Sequence, residues 1–283
     1  MATIPTTHNA SAALSGGGRL GVWLPQWLPA NDAGAEDKLY FLQLQHRHMR
    51  WDIYSTWRKT TNKDGKPGSV YDQHLDEPLT DALLCRHLAG EIALGLYLMQ
   101  PGSNTTTFAA YDLDDHAGTV PWDQMAAVAT RLASAAKQRG LHASPVRSGG
   151  GRGIHLLFRW DQDQDARDVI AHMTPILEDE GFVEGSGGIA EGQIEIFPKQ
   201  DHVAPDGFGN LIALPFGRKS VPLDKDMQPI DKPLIWYSSI PVPVASEGED
   251  DDPELKAAAE QLPADMALVR EALEYISAEP HDV

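Results

Sequence analysis

The chain has a single cysteine, Cys85, among 283 residues. An internal disulfide and a cysteine-built zinc knuckle are therefore both excluded. No apolar run approaches the roughly 20 residues that a bilayer crossing needs, which excludes a helical membrane span. The opening stretch, Met1–Gly18, is rich in Ala, Ser, Thr and Gly and has no apolar centre. It does not read as a secretory signal, and residues 1–36 read as a disordered lead-in. Bases are scarce: 23 Lys and Arg stand against 41 Asp and Glu, a net charge of -18. A simple electrostatic DNA binder needs the opposite balance.

The deficit of positive charge is uneven. Residues 246–283 hold twelve acids and two bases, so that segment alone carries -10. Arg47–Lys66 holds six bases and two acids, a local +4. Nucleic-acid chemistry thus remains open despite the overall sign. Apolar residues make up 42% and charged residues 23%, which is ordinary for a globular chain of one large domain.

Periodicity divides the chain into elements. Asp37 to His46 has helical character, Trp51–Trp57 suits a strand, and Thr60–Gly68 reads as a polar loop. Pro78–Leu88 suits a short helix and Ala93–Met99 a strand. Thr106–Asp112 is a β-rich run. Pro121–Arg139 places Met125, Val128, Ala129, Leu132 and Ala136 at helical spacing, with Gly140 just beyond. His142–Val146 and Ile154–Trp160 are strands around a glycine-rich loop, Asp165–Glu180 is a second helix, and Gln193–Phe197 and Leu211–Leu214 are short strands. This β-α-β-β-α-β order predicts an α+β fold with a split βαβ, RRM-like core. Glu247–Pro253 reads as an acidic linker and Glu254–Ile276 as a helix interrupted at Pro263.

Three clusters carry chemistry. The first is Asp112-Leu113-Asp114, after an apolar strand. Alternation puts both carboxylates on one face. A divalent ion bound through oxygen would relieve their repulsion, although a strand running out into a polar turn has the same pattern. The second is the glycine loop from Arg147 to His155, with Ser148, Arg152 and three successive glycines inside it. Such a loop brings backbone N–H groups close to an anion, and Arg147 and Arg152 can pair with phosphate. A flexible hairpin loop is the plainer reading. No Gly-Lys-Ser/Thr follows, so it is not a P-loop. The third is Glu195, between Ile194 and Ile196. A carboxylate there needs a partner, either a metal or a salt bridge.

Among the remaining polar features, His46 and His48 read as surface or DNA-backbone contacts. The run Asp161–Asp165 reads as a loop ending in a helix cap. Trp51, Tyr54 and Trp57 lie among bases and can stack nucleobases.

In this order, the three clusters resemble the archaeo-eukaryotic primase superfamily, with its Asp-x-Asp, its Ser…His motif and a third acid on a strand. The likeness is greatest to the primase-polymerase branch of mobile elements, phages and defence loci, including those of TOTE conflict systems and CRISPR loci. Phe197–Asp201, Gly207–Pro215, His87–Gly90 and Leu94–Tyr97 resemble phrases of that branch, and the resemblance spans about Asp37 to Asp224. Two departures stand out. The third acid is Glu where relatives often have Asp, and the glycine loop is about one residue longer than the shortest versions.

The resemblance implies a primase-polymerase domain over residues 37–245, with an N-terminal α/β part, followed over 246–283 by a linker and helical tail that starts an accessory or helicase-linked region. It implies a DNA-directed nucleotidyltransferase using NTPs or dNTPs, with single-stranded template and primer as partners. Two Mg²⁺ or Mn²⁺ ions would sit on Asp112, Asp114 and Glu195, with no zinc. Ser148, Arg152, His155, Lys199 and Asn210 would handle the nucleotide. The basic run supplies candidate DNA contacts at Arg47, Arg50, Arg58, Lys59 and Lys63. A prokaryotic cytoplasm, or a phage or plasmid origin, is the setting implied. A non-catalytic module of the same fold would be expected to lose an acid, and all three are present. An Asp-x-Asp glycosyltransferase leaves Ser148, His155 and Glu195 without roles.

Overall fold

Alternation in the central strand decides which side chains meet. The computed structural model describes residues 41–42, 44–45, 47–61, 65, 67–75 and 77–230. The lead-in, the acidic linker, the helical tail, His46, Lys63 and Lys66 lie outside the described residues. The elements are β1 (Tyr54–Thr61), β2 (Pro67–His74), α1 (Asp81–Leu88), β3 (Leu94–Tyr97), β4 (Thr105–Leu113), α2 (Trp122–Gln138), β5 (Ser144–Arg147), β6 (Ile154–Asp165), α3 (Ala166–Asp179), β7 (Val183–Glu184), β8 (Gln193–Phe197) and β9 (Leu211–Ala213). Helical backbone also runs through the described part of 41–48.

The strands form two sheets, ordered β2-β1-β3-β9 and β5-β6-β4-β8-β7. In the second sheet, β4, β5, β6 and β8 pair antiparallel, and α2 and α3 occupy the two crossovers. That is the split βαβ arrangement of an RRM-like core, as the element order predicts. The short β7 adds a parallel edge beside β8. The fold class is α+β.

Strand β4 is buried on both faces. Ala109, Tyr111 and Leu113 join the core formed with α2 and α3, where the Tyr111 hydroxyl donates to the Met173 carbonyl at 2.7 Å. Phe108 and Ala110 join the other core, with Leu94, Leu96 and Ile212 of the first sheet. Each such large side chain taken from water contributes about 1.5–3 kcal/mol.

Helix ends follow local chemistry. Thr80 caps α1 by accepting from the Leu83 N–H at 3.3 Å, and Asp165 caps α3 by accepting from the Arg167 N–H at 2.9 Å. Among the described residues, no helix is long and apolar enough to cross a membrane.

Several sequence expectations shift here. Asp161–Asp165 is no loop: β6 continues through it, and Thr105 and Thr106 pair with Asp165 and Gln164 beyond a bulge. The polar loop at 60–68 is shorter than expected, because β1 runs to Thr61 and β2 starts at Pro67. Arg58 and Lys59 of the basic run therefore lie on a β-ribbon. His48 is not at the surface but 3% exposed, with Nδ1 2.9 Å from the Thr107 hydroxyl. Tyr54 is buried, donates to Glu77 and stacks on His74, so it offers no ring to a nucleobase.

Burial holds the His48 imidazole down at about pKa 3, helped by Arg159 and Arg47, and holds His87 at about 4. The unfolded chain takes up protons near the ordinary pKa of about 6.5 that the folded chain refuses. Their stabilising contribution is thus complete above that pH and falls away as pH drops toward these lowered values. In thermal melts, His48→Gln should lower Tm at about pH 7, and its gap from the wild type should narrow toward about pH 4.5. A gap independent of pH would contradict this assignment.

Candidate active site

At one end of the five-stranded sheet an apolar row gives way to a polar one. Ala110 stands opposite Leu157 on β6 and Phe197 on β8, and all three are in the core against the first sheet. One pleat further on the same face, Asp112 stands opposite His155 and Glu195. The neighbours of Glu195, Ile194 and Ile196, point into the helix-covered core, so strand alternation alone turns the carboxylate to the other face.

Asp114 follows just past the end of β4. Gly153 lets the glycine loop come up against it: a Cβ there would lie 2.5 Å from the Leu113 carbonyl oxygen and 3.1 Å from Asp114 Oδ1. Asp115 turns away. Its carboxylate accepts from the backbone N–H groups of Gly118, Thr119 and Val120, which builds the turn into α2.

The electrostatics of the row are those of carboxylates short of counter-charge. Burial, then the nearby Glu195, pushes Asp112 up to about pKa 7. Burial and Asp112 raise Asp114. Burial also lowers His155, so its ring is neutral and gives Asp112 little ionic help across 3.4 Å. Asp112 Oδ1 is buried and makes no hydrogen bond. Glu195 pairs with the Lys199 ammonium, which also lies 5.0 Å over the Phe197 ring. Among the described residues, no three His, Cys, Asp or Glu side chains stand converged as a metal-holding group. The donor chemistry still suits a hard divalent cation. Oxygen ligands adjoin, and one buried carboxylate oxygen lacks a partner.

The glycine loop closes on itself through Ser148. Its N–H donates to the Gly153 carbonyl at 2.8 Å, and its hydroxyl accepts from the Gly153 N–H at 3.1 Å. Arg152 is exposed, and its guanidinium would be 2.9 Å from a Cβ at Gly118. Arg147 is turned to the helix side, with its guanidinium 4.6 Å over the Trp122 ring. Asn210 lies at the entry to β9, after Gly209, and only partly buried.

Two cations at the loop escaped the sequence reading. Arg218 Nη1 would be 3.6 Å from a Cβ at Gly149, and Lys219 Cδ would be 2.8 Å from one at Gly151. The Lys219 N–H also reaches the Gly149 carbonyl at 3.4 Å. The only hint in the sequence was Gly217-Arg218-Lys219-Ser220, one residue beyond the Leu214-Pro215 phrase. Arg218 also lies 3.8 Å over the Trp57 ring, so that aromatic already carries a partner.

The basic run divides. Arg50 is 5% exposed, with its guanidinium bound to the Asp52 carboxylate at 2.6 and 2.8 Å and to the Gly207 carbonyl at 2.7 Å. The expected DNA contact at Arg50 is therefore withdrawn, since its donors are spent inside the fold. Arg58 pairs with Asp72 across the ribbon, both side chains being well exposed, and Arg47 donates to the Asp161 carbonyl. Lys59 is exposed.

Comparison with known proteins finds no match among curated ones. One solved structure it resembles is the "Polymerase Domain from Mycobacterium tuberculosis Ligase D in complex with DNA", at 15% identity and a TM-score of 0.37, covering 64% of this chain and 73% of that one. The family model for "TOTE conflict system, Archaeo-Eukaryotic Primase domain" matches residues 18–238, which takes in both sheets, the acid row and the glycine loop. The chain belongs to the archaeo-eukaryotic primase domain family of TOTE conflict systems.

Proposed function

We propose that the chain is a DNA primase-polymerase, extending or starting strands on single-stranded DNA from NTPs or dNTPs. The observation that carries this reading is the half-buried row Asp112–His155–Glu195, with Asp114 and a cation-bordered glycine loop at its open end. The new bond joins the primer 3′-oxygen to the α-phosphorus, and the bond broken is that from the α-phosphorus to the departing pyrophosphate.

Asp112, Asp114 and Glu195 would hold Mg²⁺ or Mn²⁺, which there would acidify the 3′-hydroxyl and neutralise charge on the reacting phosphate. Glu195 leaves Lys199 when it takes up that role, and the released ammonium becomes a phosphate contact. Arg152, Arg218 and Lys219 bind the β- and γ-phosphates around the loop that Ser148 closes. His155, neutral and fixed on β6, donates an N–H toward the same phosphates and orients them against the acids. Asn210 borders the nucleotide from the first sheet.

A second reading, a module that holds nucleotide without reacting, draws on the Lys199–Glu195 pair, which occupies the third acid. Extension of a labelled primer with dNTPs and Mn²⁺ separates the two.

In that assay Asp112→Asn and Asp114→Ala should each cut synthesis by at least about 100-fold. Both variants should melt no lower than the wild type without metal, since each removes one of two partly buried carboxylates that repel each other. Mn²⁺ should raise the Tm of the wild type but not that of Asp112→Asn. Near-normal extension by Asp114→Ala would sink the assignment of the acids.

Arg218→Ala and Arg152→Ala should weaken labelled dATP binding by about tenfold or more while leaving labelled DNA binding within about twofold, because they meet the nucleotide's phosphates and not the template. Equal losses for both ligands would count against this.

Template contact falls to the ribbon. Exposed pairs such as Arg58–Asp72 are worth little, so Arg58 can exchange its carboxylate for a phosphate. Reversing Arg58, Lys59 and Lys63 to Glu should weaken single-stranded DNA binding and flatten its log–log salt dependence by about two units. An unchanged slope would place the DNA path elsewhere.

A further inference from the structure

The segment bearing Arg218 and Lys219 is strained and tightly held. Phe216 and Arg218 both adopt left-handed backbone, with φ of 74° and 58°. Side chains other than glycine rarely adopt it, and such strain persists only where the surroundings enforce it. Three contacts do so. The Phe216 ring meets the Phe41 ring edge-on at 5.4 Å, Arg218 lies over Trp57, and His87 grips the start of the turn.

His87 is fully buried, on the last turn of α1. Its Nε2 lies 2.5 Å from the Pro215 carbonyl oxygen, and its Nδ1 accepts from the Leu94 N–H at 3.1 Å. Both ring nitrogens are committed, which fixes one neutral tautomer: Nε2–H donates and Nδ1 accepts. Leu94 opens β3, and its carbonyl accepts from the Leu214 N–H at 3.0 Å. The imidazole therefore ties the end of the β9 segment to the start of β3, immediately before the strained residues. Gly217 packs against it so closely that a Cβ there would be 2.7 Å from His87 Cε1.

We infer that His87 is a positioning residue for the nucleotide site, acting through the Pro215–Lys219 turn to hold Arg218 and Lys219 against the glycine loop. This rests on the reading of Arg218 as a phosphate contact. His87 touches no reacting atom. It sets where two cations stand, so its loss frees the turn to relax out of its left-handed conformation and carry the guanidinium away from Gly149.

The test is a double-mutant cycle between His87 and Arg218, read by binding of fluorescent dATP with Mg²⁺, by binding of labelled single-stranded DNA, and by KM and kcat in primer extension. Folded His87→Ala should bind dATP about five- to tenfold more weakly, with the loss in KM and DNA affinity within about twofold of the wild type. In an Arg218→Ala background the same substitution should cost clearly less than it does in the wild type, because one of the two cations it positions is gone. His87→Gln, which keeps an N–H for Pro215, should recover part of the loss. If His87→Ala fails to fold, Gly217→Ala carries the test from the other side, by pushing the turn off the imidazole. Wild-type dATP affinity in folded His87→Ala, full additivity with Arg218→Ala, or an equal fall in DNA binding would each overturn the inference. A normal dATP affinity for Arg218→Ala alone would instead remove the phosphate role beneath it.

Discussion

Strand β4 must serve two cores at once, and everything at the site depends on its register. Ala109, Tyr111 and Leu113 are committed to the helices, and Phe108 and Ala110 to the first sheet. Asp112 is simply the next residue in the second series. A slip of one residue would send the acids under α2 and α3 and the tyrosine into the opening, with a cost on every side chain of the strand. The bulge between Thr106 and Phe108 takes up the irregular pairing before the critical residues. Asp112 is therefore located chiefly by the apolar packing of its neighbours on either side.

That manner of placement leaves an electrostatic debt at the row. Asp112 has its Oδ1 buried beside a neutral imidazole, and its pKa rises accordingly. The surrounding cations are arranged unequally. Lys199 stands on the Glu195 side, while Arg152, Arg218 and Lys219 border the glycine loop at the other end. A chain of net charge -18 thus concentrates positive charge beside the glycine loop, where the proposed nucleotide would place its polyphosphate. The field that matters for such a ligand is local, because interactions beyond about 8–10 Å are screened at physiological salt.

What could be read in the sequence was whatever repeats with a period. Helices α2 and α3 show their apolar stripes at three-to-four spacing, and β4 and β8 place acids between apolar neighbours. These gave the split βαβ order and the two-sided face of Asp112. Tertiary choices left no such trace. The tail of β6 is polar because it pairs at the sheet margin, so it resembled a loop. Arg50 looked like a surface base until its guanidinium was seen closing on Asp52 and the Gly207 carbonyl, far along the chain. Arg218 and Lys219 reach the glycine loop only because the backbone turns left-handed at Phe216 and Arg218, a property that neither residue advertises.

The pairing of β9 with β3 has a consequence for how the chain can be divided. Gly95 lies opposite Ala213 and Tyr97 opposite Leu211, so the first sheet is completed by a strand that arrives after the whole five-stranded sheet has been traversed. The part before β4 is therefore not an autonomous folding unit. Its fourth strand is a long-range contact of high sequence separation, of the kind that closes late in folding. A fragment ending after β8 would keep all three acids yet leave one margin of the first sheet with unpaired backbone. Such margins recruit other chains, so a truncation meant to isolate the chemistry would instead produce a self-associating protein.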